Sequence, residues 1–151
     1  MANVIKDKRW LLATAESCTG GWLSKCCTDL AGSSNWFDRG FITYSNQSKQ
    51  DLLNVSLATL EQYGAVSEQT AIAMAQGTLL NSNATISVAV TGIAGPDGGT
   101  AEKPVGTVWI AWAIKNGPEK TELLQLKGDR DQIRFQAVVA ALQGIIKNAS
   151  D

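Results

Sequence analysis

The sequence predicts an α/β fold, a three-layer α/β/α sandwich around a mixed sheet of about five strands, and three observations predict it. Strand-like and helix-like segments alternate along the chain. Both glycine-rich loops begin where a strand-like run stops, which is where ligands gather in such folds. Asn116-Gly117-Pro118 joins two strand-like runs as a hairpin, which brings an antiparallel member into the sheet. With 151 residues the chain is read as one domain over residues 1–151.

Each element has its own signal. Trp10-Leu11-Leu12-Ala13 reads as a short buried strand that runs into the first glycine loop, Thr14 to Gly21. Trp22, Leu23, Cys26, Cys27 and Leu30 then fall on one helical stripe. Backbone N–H groups at a helix start lack intrahelical partners and carry partial positive charge, so this loop suits an anion; equally, Ser17 or Thr19 caps the helix and the glycines only permit the turn. Ala31 to Asn35 is a polar turn, and Phe41-Ile42-Thr43-Tyr44 the second strand, so that Ser34 and Tyr44 flank it. Ser45 or Asn46 caps a short helix on which Ser45 and Lys49 share a face at i, i+4. Leu57 to Tyr63 forms a helix closed by Gly64, and another follows Val66-Ser67-Glu68 with Ala71, Met74, Ala75, Thr78 and Leu79 as its packing stripe.

The run Ala84 to Thr91 is β-branched nearly throughout, the pattern of a central strand covered on both faces. It opens into the second glycine loop, Thr91 to Gly106, long enough to read as functional. Thr107 to Ile114 and Thr121 to Leu126 are the hairpin strands. Gly128-Asp129-Arg130 leads into a last helix with Ile133, Ala137, Val138, Ala141, Leu142 and Ile145 inward; Arg130 and Arg134 on its first turns oppose the helix dipole and are unfavourable unless an anion or carboxylate sits nearby.

Composition removes several function classes. A formal net charge of −1 and 18% charged residues lack the basic excess of a nucleic-acid binder. Apolar runs fall short of a membrane span, and residues 1–8 are polar rather than a signal peptide, so a cytoplasmic protein is expected. Three cysteines without CxxC spacing disfavour both disulfides and structural zinc. The chain has no histidine, which removes Ser-His-Asp and Cys-His catalysis and leaves Lys, Tyr, Asp, Glu or a terminus as base. Lys49 is then either a solvated surface charge or a desolvated amine able to take a serine proton. Tyr44 is either a core residue with a wet hydroxyl or an acid/base group, Glu16 is read as an anchor for the first loop, and Cys18 as a spectator. The five tryptophans read as core or subunit-interface residues.

The segments T-A-E-S-C-T-G-G, G-F-I-T-Y-S-N-Q-S-K, G-A-V-S-E, T-G-I-A-G-P-D-G-G and E-K-P-V-G-T-V, in this order, resemble the CinA C-terminal domain family from about Leu12 to the final helix. With no appended N-terminal domain the chain is similar to the stand-alone nicotinamide-nucleotide amidases of that family. The resemblance implies a three-layer α/β/α fold, no cofactor and no metal. It implies hydrolysis of nicotinamide mononucleotide to nicotinate mononucleotide and ammonia in pyridine-nucleotide salvage. Because the sequence begins close to its first strand, part of a leading helix is expected to be missing. By motif, the implied serine/lysine pair is Ser34 with Lys49, assisted by Tyr44, with Ser17 as the alternative nucleophile. The implied substrate-binding positions are Ser17, Thr19, Gly20, Thr91, Gly92 and Arg130, with Arg134 the other candidate for the phosphate. The small-molecule substrate, no nucleic acid, no membrane and a homodimer complete the expected partners. The rival of another class is a non-catalytic nucleotide- or partner-binding module, which would bind the mononucleotide without releasing ammonia. A phosphotransferase would want a metal site that Asp97, Asp129 and Asp131 do not obviously form.

Overall fold

The computed structural model describes residues 1–150. Its elements run α1 (Ala2–Asp7), β1 (Leu12–Glu16), α2 (Trp22–Thr28), a 3₁₀ turn (Ser33–Asn35), β2 (Phe37–Ile42), α3 (Asn46–Leu53), α4 (Leu57–Tyr63), α5 (Glu68–Leu80), β3 (Ile86–Gly92), β4 (Thr107–Ile114), β5 (Glu119–Gln125) and α6 (Arg130–Ser150). The five strands form one sheet in the order β2-β1-β3-β4-β5. β2, β1 and β3 are parallel, and β4 and β5 are antiparallel, the hairpin turning at Asn116-Gly117 as expected. The expected three-layer mixed sheet is present.

The strands' two faces carry different side chains, and that difference sets the layers. Ile86, Val88 and Val90 of β3 point, with Val108, Ile110 and Trp112 of β4, toward α2 and α6, where Leu23, Ile133, Ala137, Val138, Ala141 and Ile145 complete a large-residue core. On the other face Ala15, Ala89, Ala111 and Ala113 are small, which lets α5 lie close over the centre of the sheet through Ala71, Met74 and Ala75. Close approach is forced at Gly77, where a Cβ would run into the backbone of Leu53 at the end of α3. That contact fixes α3 against α5, and α3 carries Lys49.

Two expectations shift. The second strand is Phe37–Ile42 rather than Phe41 to Tyr44, because Leu12 pairs with Phe37 and the bulge between Leu12 and Ala13 carries the register on to Glu16 and Ile42. Gly40 lies inside this edge strand, where a Cβ would crowd Ser24 and Thr14, so glycine is what lets α2 cross so near. A six-residue α1 precedes β1, with Ile5 wholly buried in the large-residue core, in a stretch whose polar sequence gave no helical signal. No helix among the described residues is long and apolar enough to cross a membrane.

Candidate active site

A cavity of about 280 Å³ opens at the carboxyl ends of β1 and β3, the position where parallel α/β sheets collect ligands. Ser17 and Cys18 come from the turn after β1, Tyr44 and Lys49 from the segment after β2, and Ala65 and Val66 from the turn between α4 and α5. Thr91 to Gly95 with Asp97 and Gly98 come from the second glycine loop, and Arg130 from the start of α6.

The geometry begins at the end of β1. Ser17 N–H donates to the Val90 carbonyl at 2.9 Å, so strand pairing with β3 extends to the serine and holds its Cα rigidly. The chain then turns at once, Gly20 N–H closing on the Ser17 carbonyl at 3.1 Å with Gly20 at φ 57°. Ser17 is thus held at the tip of a strand with its hydroxyl at the cavity.

Lys49 reaches the same point from α3. Ser45 caps this helix, its hydroxyl accepting from Ser48 N–H at 3.0 Å, and Lys49 lies one turn further on the same face. Its Nζ is wholly buried and donates to Ser17 Oγ at 3.0 Å, to the Thr43 carbonyl at 2.7 Å and to the Tyr44 carbonyl at 3.3 Å. Burial pushes the Lys49 ammonium down from 10.5 to about 8. Three acceptors suit the three protons of an ammonium. The deprotonated amine can keep its two N–H bonds to the carbonyls and turn its lone pair on Ser17 Oγ, so either protonation state fits without rearrangement.

Ser34 is not brought to this site. It sits in the exposed 3₁₀ turn before β2, whereas Lys49 lies beyond the other end of that strand; six strand residues separate the two by roughly 20 Å. Lys49 therefore does not meet Ser34, and the serine hydroxyl it touches is that of Ser17. The reason is the register of β2: starting at Phe37, it puts the G-S-S turn at the amino end of the sheet.

The first loop is also not an open anion cradle. Glu16 is wholly buried and accepts from Leu23 N–H at 2.8 Å, Ser24 N–H at 3.0 Å and Ser24 Oγ at 2.7 Å, so the start of α2 already holds a carboxylate. The expected anchor role of Glu16 is what the structure displays. Asp129 likewise closes α6 in a reciprocal box, Oδ1 accepting from Gln132 N–H at 2.9 Å and Gln132 Oε1 from Asp129 N–H at 2.8 Å. The starts of α2 and α6 are thus both already occupied by side chains of this chain.

Of the implied binding residues, Ser17, Thr91, Gly92 and Arg130 line the cavity. Thr91 Oγ1 donates to the Ala65 carbonyl at 2.7 Å and ties two walls together. A Cβ at Gly92 would come within 2.6 Å of Val108 and 2.9 Å of the Thr107 carbonyl, so only glycine lets β3 leave the sheet there. Arg130 spans the mouth, Nη1 donating to the Gly95 carbonyl at 2.7 Å and Nη2 lying 3.4 Å from the Tyr44 hydroxyl. Thr19 and Gly20 lie outside the cavity wall and shape the turn behind it; the wholly buried Thr19 carbonyl accepts from Trp22 N–H and from Arg134. Tyr44 is 63% exposed, so its ring is a rim residue and only its carbonyl touches Lys49. Burial raises the Cys18 thiol to about 11, which keeps it neutral. No group of three His, Cys, Asp or Glu placed to hold a metal occurs among the described residues.

Sequence reasoning passed over Asp97 as a wall residue and Ala65 and Val66 as the opposite wall, although the G-A-V-S-E segment had marked that turn. It raised Arg134 only as a second candidate for the phosphate. The signal for another role was the unexplained pair of positive charges at the start of α6.

The family profile for the CinA C-terminal domain matches residues 1–149. The nicotinamide-nucleotide amidohydrolase PncC of Enterobacter agglomerans is 57% identical over 143 residues, 95% of this chain and 87% of its own length. Its namesake in Escherichia coli is 50% identical over the same shares. Among solved structures, the competence/damage inducible protein CihA from Agrobacterium tumefaciens has a TM-score of 0.94 at 45% identity, covering 99% of this chain and 93% of that one. A CinA superfamily protein from Klebsiella pneumoniae reaches 0.95 at 36% identity, over 99% and 92%.

Proposed function

The chain belongs to the CinA C-terminal domain family, and from that premise we propose that it is a nicotinamide-nucleotide amidohydrolase in which Ser17 is the nucleophile and Lys49 the base. The relatives' activity supports the substrate, and the single observation that carries the mechanism is the buried Lys49 Nζ at 3.0 Å from Ser17 Oγ on the cavity floor. With Lys49 at about 8, roughly a quarter of the enzyme carries the neutral amine near pH 7.5, against about one molecule in a thousand at the ordinary lysine value. That difference makes a histidine-free serine hydrolase workable.

Lys49 takes the Ser17 hydroxyl proton as Oγ bonds to the carboxamide carbon. The Cys18 N–H, directly after the nucleophile, is our assignment for an oxyanion donor. The C–N bond then breaks and the Lys49 ammonium returns its proton to the departing ammonia, leaving an ester on Ser17. Water attacks the ester, Lys49 takes the water's proton and passes it to Ser17 Oγ, and nicotinate mononucleotide leaves. Arg130 meets the 5′-phosphate at the mouth, with the Tyr44 hydroxyl beside it. Ser17→Ala and Lys49→Ala should each lower ammonia release from nicotinamide mononucleotide by at least about 10³-fold while keeping the wild-type circular dichroism. A folded Lys49→Ala enzyme with wild-type turnover would refute the pair.

A further inference from the structure

α6 begins with two arginines one turn apart, and both sit where a cation opposes the helix dipole. Their side chains go to different places. Arg130 lies on the cavity and on the Gly95 carbonyl of the second loop. Arg134 leaves the cavity aside and crosses to the first loop, where Nε donates to the Cys18 carbonyl at 3.0 Å and Nη2 to the Thr19 carbonyl at 3.1 Å. Its guanidinium carbon stands 5.4 Å from the centre of the Trp22 ring, and Trp22 in turn packs against Phe135 with centroids 6.0 Å apart. The planar fork is thus held on an aromatic face while it grips the two carbonyls after Ser17.

We propose that Arg134 is a positioning residue for the chemical step: by holding the Cys18 and Thr19 carbonyls toward α6 it fixes the turn that aims Ser17 Oγ at Lys49. The proposal rests on Ser17 and Lys49 being the reacting pair. A peptide unit is planar, with C=O and N–H pointing opposite ways, so two held carbonyls fix the planes of the Cys18–Thr19 and Thr19–Gly20 units. The Gly20 N–H to Ser17 carbonyl bond closes the same turn, which leaves Ser17 between a strand bond to Val90 and a clamped loop. Two carbonyl dipoles answer a charge for which a carboxylate was the obvious partner. Because Arg134 does not touch the cavity, its loss should reach the chemistry without reaching the substrate.

The test is steady-state kinetics with nicotinamide mononucleotide on the full chain, for Arg134→Gln, Arg134→Lys and, as comparison, Arg130→Gln, beside thermal melts. For Arg134→Gln, kcat should fall about 10²-fold with KM within about twofold of wild type, the usual effect of misplacing a reacting group by about an ångström. Arg134→Lys keeps a cation over Trp22 and one donor, and its kcat should lie between the two. Arg130→Gln should instead raise KM. A folded Arg134→Gln enzyme with kcat within about threefold of wild type, or with KM rising as in Arg130→Gln, overturns the proposal. If that variant does not fold, the same two results in Arg134→Lys decide. Full turnover by Ser17→Ala is a separate outcome: it removes the reacting pair itself, whatever the Arg134 variants do.

Discussion

At the scale of the residue, the site turns on one amine and what surrounds it. Lys49 is buried against two carbonyls and a serine hydroxyl, and burial favours the neutral form of the amine. The rate should therefore rise with pH along a limb centred near 8 and level off above it; a limb near 10 would mean that the amine is hydrated as in free lysine. Folding carries the matching signature. The unfolded chain keeps its Lys49 proton up to 10.5 and the folded chain only to about 8, so the unfolded state binds more protons between these values. Stability gains from this group as pH rises through that window, and below it the full cost of about 3 kcal/mol is in place. Urea titrations at pH 7.5, 9 and 10.5 should show the wild type gaining on Lys49→Met by about that amount. A constant difference across the series would contradict the shift. None of this was readable from the sequence alone, where a lysine in a short polar helix looks the same whether it is solvated or buried.

At the scale of the element, α3, α4 and α5 are fixed by local signals that sequence displays well. Ser45, Ser56 and Ser67 cap α3, α4 and α5 as hydroxyl residues before helical stripes do. The start of α2 is different, since Gly21 offers no side chain and Glu16 from the preceding strand supplies the acceptor. Glu16→Gln replaces one acceptor oxygen with a donor facing another donor, in a wholly buried place; it should cost about 2 to 3 kcal/mol in chemical denaturation. A loss under about 0.5 kcal/mol would mean that water or a shifted loop takes over the N–H groups. β2 was misplaced by several residues because an edge strand containing Asp38, Arg39 and Gly40 has neither alternation nor a hydrophobic run. Its glycine is explained only by Ser24 and Thr14 across the way, contacts that no local window contains.

At the scale of the whole molecule, the layers and the mixed sheet followed from periodicity, and the place of the cavity followed from the glycine loops. Which groups meet in it depended on the register of β2, and that register separates Ser34 from Lys49 by the length of a strand. Ser34→Ala should consequently leave kcat, KM and melting temperature unchanged, and a tenfold fall in activity would return Ser34 to the mechanism. The far end of the fold is packed as tightly as the site: a Cβ at Gly144 of α6 would enter the Trp112 ring, so Gly144→Ala should destabilise by about 1 to 3 kcal/mol despite its better helix propensity. Whether Ser17 carries the acyl group is measured most directly by acid quench of the enzyme during turnover of nicotinamide mononucleotide, followed by peptide mass mapping. A nicotinate mononucleotide ester is expected on Ser17 and is expected to be lost in Ser17→Ala and in Lys49→Ala. The same adduct on Ser34 or Cys18 would contradict it.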